Sequence, residues 1–436
     1  MNSINEVTQL LDDLGFEVRD TATLPARIAN YKKIPYGLNT TIQELLKKRY
    51  PNGIFSHQAL ALQFLMEGND ICLSTSTASG KSLVFMAGVS HLLLENTGRK
   101  ALALYPHKAL IQDQMSKWIP FAQELGLRVG YIDGDVPRAQ RPEILNKSDI
   151  LVATPDVIHA WLLSQLQEKE NLEFVRRLHY LILDEAHIYE GVFGSNMAFF
   201  IRRLIAVSKI TQIITSTATL GKPENYIQLL TGRDPVTIEP DQDGSSKSVM
   251  DIFLVSSTMK DSYAAKVSLL KALAKSEAGR FIAFADSRKM VEQVVSAIHR
   301  REDDETEEQD DSIGSENEIF DVLPYRAGYE VVDRNNIQKA LSDGTLRGVV
   351  STSAMEMGLD IGEISTVVLL STPNTVTSFW QRIGRAGRKQ AGISIIIDQE
   401  KAITSLPQYM QKPLEAKWIY LDNRYIQLYE CTLCCN

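Results

Sequence analysis

The sequence T-S-T-A-S-G-K-S (Thr75–Ser82) follows a short apolar run, Ile71–Leu73, and precedes a run with helical character. A strand, a tight loop of small residues and a helix N-terminus gather several backbone N–H groups around one point, which suits a phosphate. In that arrangement Lys81 reaches the β- and γ-phosphates of a nucleotide, and the Ser82 hydroxyl binds Mg²⁺. The pattern G-x-x-x-x-G-K-[ST] is met except at its first glycine, where Thr75 stands, so an ordinary turn between a strand and a helix is the alternative.

The composition is that of a water-soluble globular chain. The 436 residues are 44% hydrophobic and 23% charged, and this length allows roughly two or three domains. No apolar run reaches the roughly 18 residues of a membrane span, and the first residues carry acids where a signal peptide needs a basic start. With four cysteines in all, these features predict a cytoplasmic protein without a disulfide framework and without a membrane partner.

The net charge of −8 is unevenly distributed along the chain. Ten acidic residues lie between positions 302 and 318, and removing their ten negative charges leaves +2 for the remainder. A binding site for a polyanion would therefore be a local basic groove. The acidic run cannot build a core, so we expect a disordered surface insertion there.

Apolar segments of strand length alternate with helical segments, which predicts an α/β fold with parallel sheets covered by helices. The first set of predicted strands after Ile71–Leu73 is Ala101–Tyr105, Val129–Asp133, Ile150–Ala153, Tyr180–Leu183 and Ile213–Ser216. The second set is Asp251–Val255, Arg280–Ala285, Leu323–Tyr325, Gly348–Ser351, Thr366–Leu370 and Ile393–Ile397.

This pattern divides the chain into five predicted segments. Apolar residues recur at helical spacing near the N-terminus, which predicts a helical extension (1–50) that packs against the following domain. We then expect a nucleotide-binding domain (51–235), a polar linker (236–250), a second α/β domain (251–400) and a C-terminal tail (401–436).

The stretch L-I-L-D-E-A-H (Leu181–His187) brings two adjacent carboxylates to the end of a buried strand. Phosphoryl transfer needs one carboxylate to hold Mg²⁺ and another to orient the attacking water, and we assign these roles to Asp184 and Glu185. The alternative for such an acidic pair is a solvated helix start.

Two further stretches complete the chemistry. Q-R-I-G-R-A-G-R (Gln381–Arg388) spaces Arg385 and Arg388 to share one helical face, where guanidinium groups could neutralise charge on a γ-phosphate. A basic surface helix is the alternative. Gln58, about one helix before the loop, has an amide that can bond both a donor and an acceptor on an adenine edge; a polar helix residue is its alternative.

Together these stretches resemble the motor core of superfamily 2 helicases of the DEAD/DEAH type, over about residues 50 to 400. The matching segments, in order, are Gln58, Thr75–Ser82 (motif I), Y-P-H-K-A-L-I-Q-D-Q at Tyr105–Gln114 (motif Ia), A-T-P-D at Ala153–Asp156 (motif Ib), D-E-A-H (motif II), S-T-A-T at Ser216–Thr219 (motif III, with Thr217 in place of the usual serine), F-A-D-S-R-K at Phe284–Lys289 (motif IV), S-T-S-A-M-E-M-G-L-D-I-G at Ser351–Gly362 (motif V) and Gln381–Arg388 (motif VI).

The resemblance implies two RecA-like domains, the cofactors ATP and Mg²⁺, and a role for each matching position. It implies catalytic roles for Glu185, Gln381, Arg385 and Arg388. It implies nucleotide contacts from Gln58, Thr77, Ala78, Ser79, Gly80, Lys81, Ser82, Asp184, Gly358 and Asp360. Nucleic-acid contacts are expected from Lys108, Thr154, Ser287, Arg288, Thr352 and Ser353, and coupling of the two sites from His187, Thr217 and Thr219.

Within the superfamily the likeness is greatest to the bacterial MrfA/YprA-type DNA helicases and the related Lhr group. The signs are L-P-A-R-I-A-N-Y (Leu24–Tyr31), S-H-Q (Ser56–Gln58), Y-I-D-G-D-V-P (Tyr131–Pro137) and D-E-A-H-I-Y-E-G-V-F-G-S-N (Asp184–Asn196). The resemblance implies 3′→5′ movement on single-stranded or tailed duplex DNA, in DNA repair or defence against foreign DNA. Two alternatives stay open: an RNA helicase, against which Gln381-Arg382 in place of His-Arg argues, and a nucleotide-gated nucleic-acid clamp.

The chain ends in C-T-L-C-C-N, which contains half of a zinc site. Because no second ligand pair follows Cys431, Cys434 and Cys435, we expect no bound metal there. The related helicases carry a further C-terminal region with a cysteine cluster, and this chain stops where that region would begin. A partner protein could therefore supply it.

Overall fold

The computed structural model describes residues 4–76, 78–217, 220–276, 279–300, 321–326, 329, 331–356, 362–388 and 390–427. Several sequence predictions fall outside these residues: the acidic insertion at 302–318, and the roles given to Thr77, Thr219, Gly358, Asp360, Cys431, Cys434 and Cys435.

The described strands and helices alternate along most of the chain. The strands are β1 (Phe16–Leu24), β2 (Tyr31–Lys32), β3 (Ile54–Phe55), β4 (Ile71–Leu73), β5 (Lys100–Leu104), β6 (Val129–Ile132), β7 (Ile150–Ala153), β8 (Leu178–Leu183), β9 (Gln212–Ser216), β10 (Val236–Ile238), β11 (Met250–Ser257), β12 (Phe281–Phe284), β13 (Val322–Tyr325), β14 (Gly348–Ser351), β15 (Thr366–Leu369) and β16 (Gly392–Ile397). The helices are α1 (Ile4–Asp13), α2 (Thr40–Arg49), α3 (Ser56–Met66), α4 (Lys81–Glu95), α5 (Lys108–Gln123), α6 (Arg141–Lys147), α7 (Pro155–Val157), α8 (Lys169–Arg177), α9 (Gly191–Val207), α10 (Pro223–Thr231), α11 (Ser262–Lys275), α12 (Arg288–His299), α13 (Val331–Asp343), α14 (Val376–Ile383) and α15 (Leu406–Met410).

The chain forms two compact units. The loop unit consists of Ile28–Ser246 and Leu414–Asn436 and contains the loop Thr75–Ser82. The arginine unit consists of Met1–Arg27 and Lys247–Pro413 and contains the arginines of Gln381–Arg388. Each unit is built on its own seven-stranded sheet, and the predicted pair of parallel-sheet, RecA-like domains is confirmed.

The sheet of the loop unit has the strand order β10-β4-β9-β8-β5-β7-β6, with parallel pairing throughout. Its central strands read as continuous apolar runs, such as the end of β8 at Leu181–Leu183, because helices cover both faces of a parallel sheet. β4, β9, β8 and β5 are consecutive neighbours. The residues that follow them therefore meet at one edge of the sheet, where α/β proteins place their sites.

The sheet of the arginine unit has the order β1-β11-β16-β15-β12-β14-β13. All its pairs are parallel except β1 with β11, which is antiparallel. Val7 and Leu11 of α1 are buried in the core of this unit.

The N-terminal segment corrects one prediction. The expected helices α1 and α2 are present, but Phe16–Leu24 forms an edge strand that pairs with β11. Residues 4–27 therefore belong to the second domain along the chain, and not to the following one. Local helical spacing could not reveal a partner strand more than 200 residues away.

The predicted linker at 236–250 is also corrected. Its first residues form β10, which pairs with β4 of the loop unit, and its last residue begins β11. The polar stretch between them includes a short 3₁₀ turn, Pro240–Gln242, and the buried residue Asp243. Most of the segment is thus part of the loop unit.

The residues after Pro413 return to the loop unit. Ile419 pairs with Gly191 at the start of α9, and the Gly191 N–H donates to the Trp418 carbonyl at 2.8 Å. Lys417 forms an ion pair with Glu190. Across the described ranges, no helix combines the length and apolar character needed to cross a membrane.

Candidate functional site

The loop after β4 has the geometry of a phosphate cradle. Gly80 adopts φ 80° and ψ 30° immediately before α4, and Ala78 also has a positive φ of 61°. A Cβ atom at position 80 would lie 2.6 Å from Gln58 Nε2, so both conformation and space require glycine there. The turn directs the loop toward the N-terminus of a fifteen-residue helix, where an anion is favoured.

Lys81 joins the loop to the neighbouring strand. Its Nζ donates to the carbonyls of Thr75 at 3.0 Å and Thr217 at 3.1 Å. The Thr217 N–H in turn donates to the carbonyl of Leu73 at the end of β4. The ammonium group is therefore held beside the ends of β4 and β9.

Gln58 is buried against the same loop. Its Oε1 accepts from the Phe55 N–H at 2.9 Å, and its Nε2 donates to the Gly80 carbonyl at 2.9 Å. Gln58 thus fixes the loop to the start of α3. Its assignment as the adenine reader stays a prediction, and reading a base would require exchange of one of these hydrogen bonds.

Asp184 and Glu185 follow β8, beside the loop, and both are buried. Asp184 Oδ1 accepts from the Glu185 N–H at 3.0 Å and from the Ser216 hydroxyl at the end of β9. Burial, followed by the nearby Glu185 carboxylate, raises the pKa of Asp184 to about 6 from its ordinary 3.8. Burial makes the charged form of Asp184 costly, and a cation bound to the carboxylate would offset this cost.

The donor set near the loop suits Mg²⁺. Mg²⁺ keeps several waters and takes one or two protein oxygens together with substrate phosphates. The Ser82 hydroxyl and Asp184 would supply those oxygens. No cluster of three or more acidic, histidine or cysteine ligands occurs in the described part of the chain.

Glu185 has a strained backbone, with φ 50° and ψ 42°, at the start of the 3₁₀ turn Ala186–Ile188. Such left-handed residues cost about 1–3 kcal/mol and concentrate at functional sites. His187 Nδ1 lies 3.4 Å from Glu185 Oε2. Burial lowers the pKa of His187 to about 4, so its imidazole is neutral at physiological pH.

Tyr226 on α10 holds the D-E-A-H turn in place. Its hydroxyl lies 2.6 Å from the Ala186 carbonyl and 2.5 Å from the Tyr189 carbonyl. The side chain is buried, and burial raises its pKa well above 10. It therefore remains a hydrogen-bond donor at any working pH.

The arginines of the second unit do not share a helical face, which corrects the sequence prediction. α14 ends at Ile383, and Arg385 and Arg388 lie in the following turns, where Gly387 has φ 68°. Arg385 is 1% exposed, and its Nη2 donates to the Glu356 carbonyl at 2.5 Å. Arg388 and Gln381 are half-buried. Because Gly384 and Gly387 interrupt the helix, residues 385 and 388 are not one helical turn apart on the same face.

Glu356 organises this arginine segment. Its Oε1 accepts from Arg382 Nε at 2.7 Å, while its carbonyl binds Arg385. The Arg382 guanidinium also lies 5.4 Å from the centre of the Phe284 ring. The motif comparison assigned no role to Glu356, although this residue lies in the motif V stretch.

The candidate nucleic-acid contacts also follow parallel strands. Lys108 and Thr154 come after the neighbours β5 and β7, and Ser287 and Thr352 come after the neighbours β12 and β14. Lys108 is paired with Asp135 at 2.6 Å, and Thr154 is buried. Ser287 caps α12, since its hydroxyl accepts from the Met290 N–H, whereas Arg288 and Ser353 are exposed. Each sheet edge thus gathers its own subset.

Two family models match the chain on these same units. The model of the DEAD/DEAH box helicase matches residues 55–226, and that of the helicase conserved C-terminal domain matches residues 265–390. The chain belongs to the superfamily 2 helicases of the DEAD/DEAH type.

Individual relatives agree with this family. The ATP-dependent helicase YprA of Bacillus subtilis is 32% identical over 433 residues, covering 96% of this chain and 55% of YprA. The ATP-dependent helicase hrq1 of Schizosaccharomyces pombe is 29% identical over 389 residues, covering 84% of this chain and 35% of its own length. The chain therefore spans 55% of the length of YprA and 35% of the length of hrq1.

Solved structures give the same result. The DUF1998 helicase MrfA bound to DNA superposes with a TM-score of 0.87 at 28% identity, covering 99% of this chain and 62% of MrfA. The Mycobacterium smegmatis helicase Lhr, at 22% identity and a TM-score of 0.74, shares the fold over 92% of this chain and 53% of its own.

The motifs of the family could be recognised in the sequence, but the residues that support them in the structure could not. Ser216 was named only as part of motif III, and no role was predicted for Tyr226, Glu356 or Asp243. Ser216 lies at the end of a predicted strand beside D-E-A-H, which was a usable signal. Tyr226 and Asp243 act through tertiary contacts, for which the sequence holds no local signal.

Proposed function

We propose that this helicase chain binds ATP with Mg²⁺, hydrolyses it, and uses the hydrolysis to move 3′→5′ along single-stranded DNA and unwind tailed duplexes. The observation that carries the proposal is the convergence of Lys81, Asp184 and Glu185 on the adjacent strand ends β4, β9 and β8. Phosphate binding, cation binding and water activation are the three functions that ATP hydrolysis requires.

Each side chain has a definite task in this mechanism. Lys81 would neutralise the phosphate tail, and Asp184 would hold the Mg²⁺ ion, whose chemistry at this site is to offset negative charge on the γ-phosphate. Glu185 would orient the attacking water or accept a proton from it. His187, 3.4 Å away, is neutral and therefore does not offset the charge of the Glu185 carboxylate. Tyr226 keeps the Glu185 turn in position.

The arginine unit supplies the remaining charge. Arg385 and Arg388 would stabilise the negative charge that develops on the γ-phosphate, as arginine fingers do. Because the loop and the arginines belong to different units, each cycle of ATP binding and hydrolysis would close and reopen them. Gln381, in the same motif VI stretch, would act with these arginines as a catalytic residue.

DNA is the preferred track for two reasons. MrfA, the structural neighbour, is DNA-bound, and Gln381-Arg382 departs from the His-Arg of DEAD-box RNA unwinders. Contacts from Lys108, Thr154, Ser287, Arg288, Thr352 and Ser353 would hold phosphates and sugars and carry no sequence information. The 3′→5′ polarity, a cytoplasmic role in DNA repair or defence, and a partner that supplies a C-terminal region rest on the resemblance to MrfA/YprA-type helicases.

The test compares ATP hydrolysis with single-stranded DNA, with RNA and with no nucleic acid, and unwinding of duplexes with a 3′ or a 5′ tail. We expect stimulation by DNA and displacement only from the 3′-tailed duplex. Glu185→Gln should lower hydrolysis about 10²–10⁴-fold and abolish strand displacement. Equal stimulation by RNA would favour the RNA helicase. Hydrolysis without displacement from either tail would favour the clamp, and displacement by Glu185→Gln would refute the motor mechanism.

A further inference from the structure

The chain passes between the two units at residues 27–28, 246–247 and 413–414, and the first two of these segments run side by side. Arg27 and Lys247 exchange both backbone hydrogen bonds, at 2.8 and 2.9 Å, and the Asn30 N–H donates to the Gly244 carbonyl at 2.9 Å. This pairing continues the antiparallel ladder of β1 and β11, whose last pair is Leu24 with Met250. We call the two-stranded segment 24–30 and 244–250 the crossing ribbon.

The residue that precedes the ribbon contacts the phosphate loop. Asp243 is buried, and its Oδ2 accepts a hydrogen bond from the hydroxyl of Ser76, the second residue of T-S-T-A-S-G-K-S. Its Oδ1 accepts from the Ser245 N–H at 2.9 Å and from the Ser245 hydroxyl at 2.7 Å. One carboxylate therefore binds the loop with one oxygen and the ribbon with the other.

A second contact joins the ribbon to the start of α3. The Gly244 N–H donates to His57 Nδ1 at 3.1 Å, one residue before Gln58. The same Nδ1 lies 3.6 Å from Asp243 Oδ1. A Cβ at Gly244 would lie 2.9 Å from the Asn30 carbonyl oxygen and 2.2 Å from Ser56 Oγ, so the close approach requires glycine.

We propose that Asp243 is a positioning residue that transmits the state of the phosphate loop to the crossing ribbon, and so links nucleotide binding to DNA binding. A phosphate entering the loop competes for its donors and shifts Ser76. The buried carboxylate must then follow Ser76 or lose a hydrogen bond, and leaving a buried charge under-bonded is costly. Since Ser245 is fixed to the same carboxylate, the displacement reaches the ribbon, which contains two of the three places where the chain passes from one unit to the other. This inference rests on the proposed ATP-dependent DNA binding.

The measurable quantity is a coupling factor. It is the ratio of the dissociation constants for a single-stranded oligothymidylate without and with saturating AMPPNP, and linkage requires the same factor for AMPPNP without and with DNA. Ser76→Ala removes the loop's bond to Asp243. We expect it to bring the coupling factor about tenfold closer to one, since a hydrogen bond to a buried charge is worth about a factor of ten or more.

Four further variants separate transmission from simple support of the fold. Asp243→Ala should reduce the coupling factor as Ser76→Ala does, and the double variant should reduce it no further. Asp243→Asn, which can accept from Ser245 and donate to Ser76, should retain most of it. Ser245→Ala is the matched control, because it removes a bond to the same carboxylate, leaves the bond to the loop, and keeps the Ser245 N–H donor.

The outcomes divide clearly. A purely structural role would weaken AMPPNP binding equally with and without DNA, which leaves the coupling factor at the wild-type value and refutes the inference. Ser245→Ala matching Ser76→Ala would refute it as well. A wild-type protein whose DNA affinity is indifferent to AMPPNP would instead refute the proposed function on which the inference rests.

Discussion

Asp184→Asn should stabilise the nucleotide-free protein. The carboxyl is buried beside Glu185, and burial raises its pKa to about 6 from 3.8. Asparagine keeps an Oδ1 acceptor for the Glu185 N–H and the Ser216 hydroxyl and removes the charge. The substitution therefore removes a cost while retaining both hydrogen bonds.

The magnitude follows from linkage. A folded-state pKa above the unfolded value means that the folded protein binds more protons, so ionisation destabilises it progressively as pH rises from about 4 through 6. Each pKa unit corresponds to about 1.4 kcal/mol, so a difference of about two units costs about 3 kcal/mol at pH 7.5 and about half of that at pH 5. Asp184→Asn should gain these amounts in the free energy of unfolding.

The assay is urea unfolding at pH 5 and pH 7.5 without nucleotide, followed by fluorescence of the buried Trp118 and Trp161 of the loop unit. The exposed Asp234→Asn is the matched control and should leave stability unchanged at both pH values. A loss of stability in Asp184→Asn, or a gain that is the same at pH 5 and pH 7.5, would refute the electrostatic reasoning.

Two other predictions concern the D-E-A-H turn. Tyr226→Phe removes the hydroxyl that lies between the Ala186 and Tyr189 carbonyls. It should lower kcat for ATP hydrolysis about tenfold with little change in KM, because hydrogen bonds worth about 1–2 kcal/mol no longer position Glu185. A higher KM with a normal kcat would contradict this positioning role. His187→Gln concerns pH: the folded pKa of about 4 lies below the ordinary 6.5, so wild-type protein loses stability as pH falls from 6.5 toward 4, and the variant should lose less. Thermal unfolding across that range measures the difference, and identical slopes for the two proteins would count against the assigned burial of His187.

The parts of the fold that the sequence predicted are those with local signals. Buried parallel strands such as β8 read as unbroken apolar runs, and their ends place Asp184 and Glu185 at the sheet edge without knowledge of the rest. Strand β1 was not predicted because its partner strand lies far along the chain, as the hydrogen bond from the Thr23 hydroxyl to Asp251 illustrates. Its alternation of half-buried and exposed residues becomes recognisable as that of an edge strand only when it is paired with β11.

The same distinction applies to the site. Lys81 and Ser82 belong to a motif that is recognised by its local spacing, so their place at the start of α4, after β4, could be predicted from the sequence; their roles in binding phosphate and Mg²⁺ stay predictions. The helical face assigned to Arg385 and Arg388 was wrong because Gly384 and Gly387 favour turns over helix. Asp243 lies in a stretch that resembles a linker by composition, yet its carboxylate is buried against the phosphate loop.

The proposed ATPase depends most on one claim: the loop of one unit and the arginines of the other take part in the same reaction. Arg388→Ala tests it, because Arg388 is half-buried and its removal disturbs the fold less than removal of the buried Arg385. The measurement is DNA-stimulated ATP hydrolysis beside AMPPNP affinity, with the exposed Arg347→Ala as control. We predict a fall in kcat of about 10³-fold with normal folding, and a wild-type rate in the control. Arg388→Ala protein that hydrolyses ATP at the wild-type rate would contradict the claim.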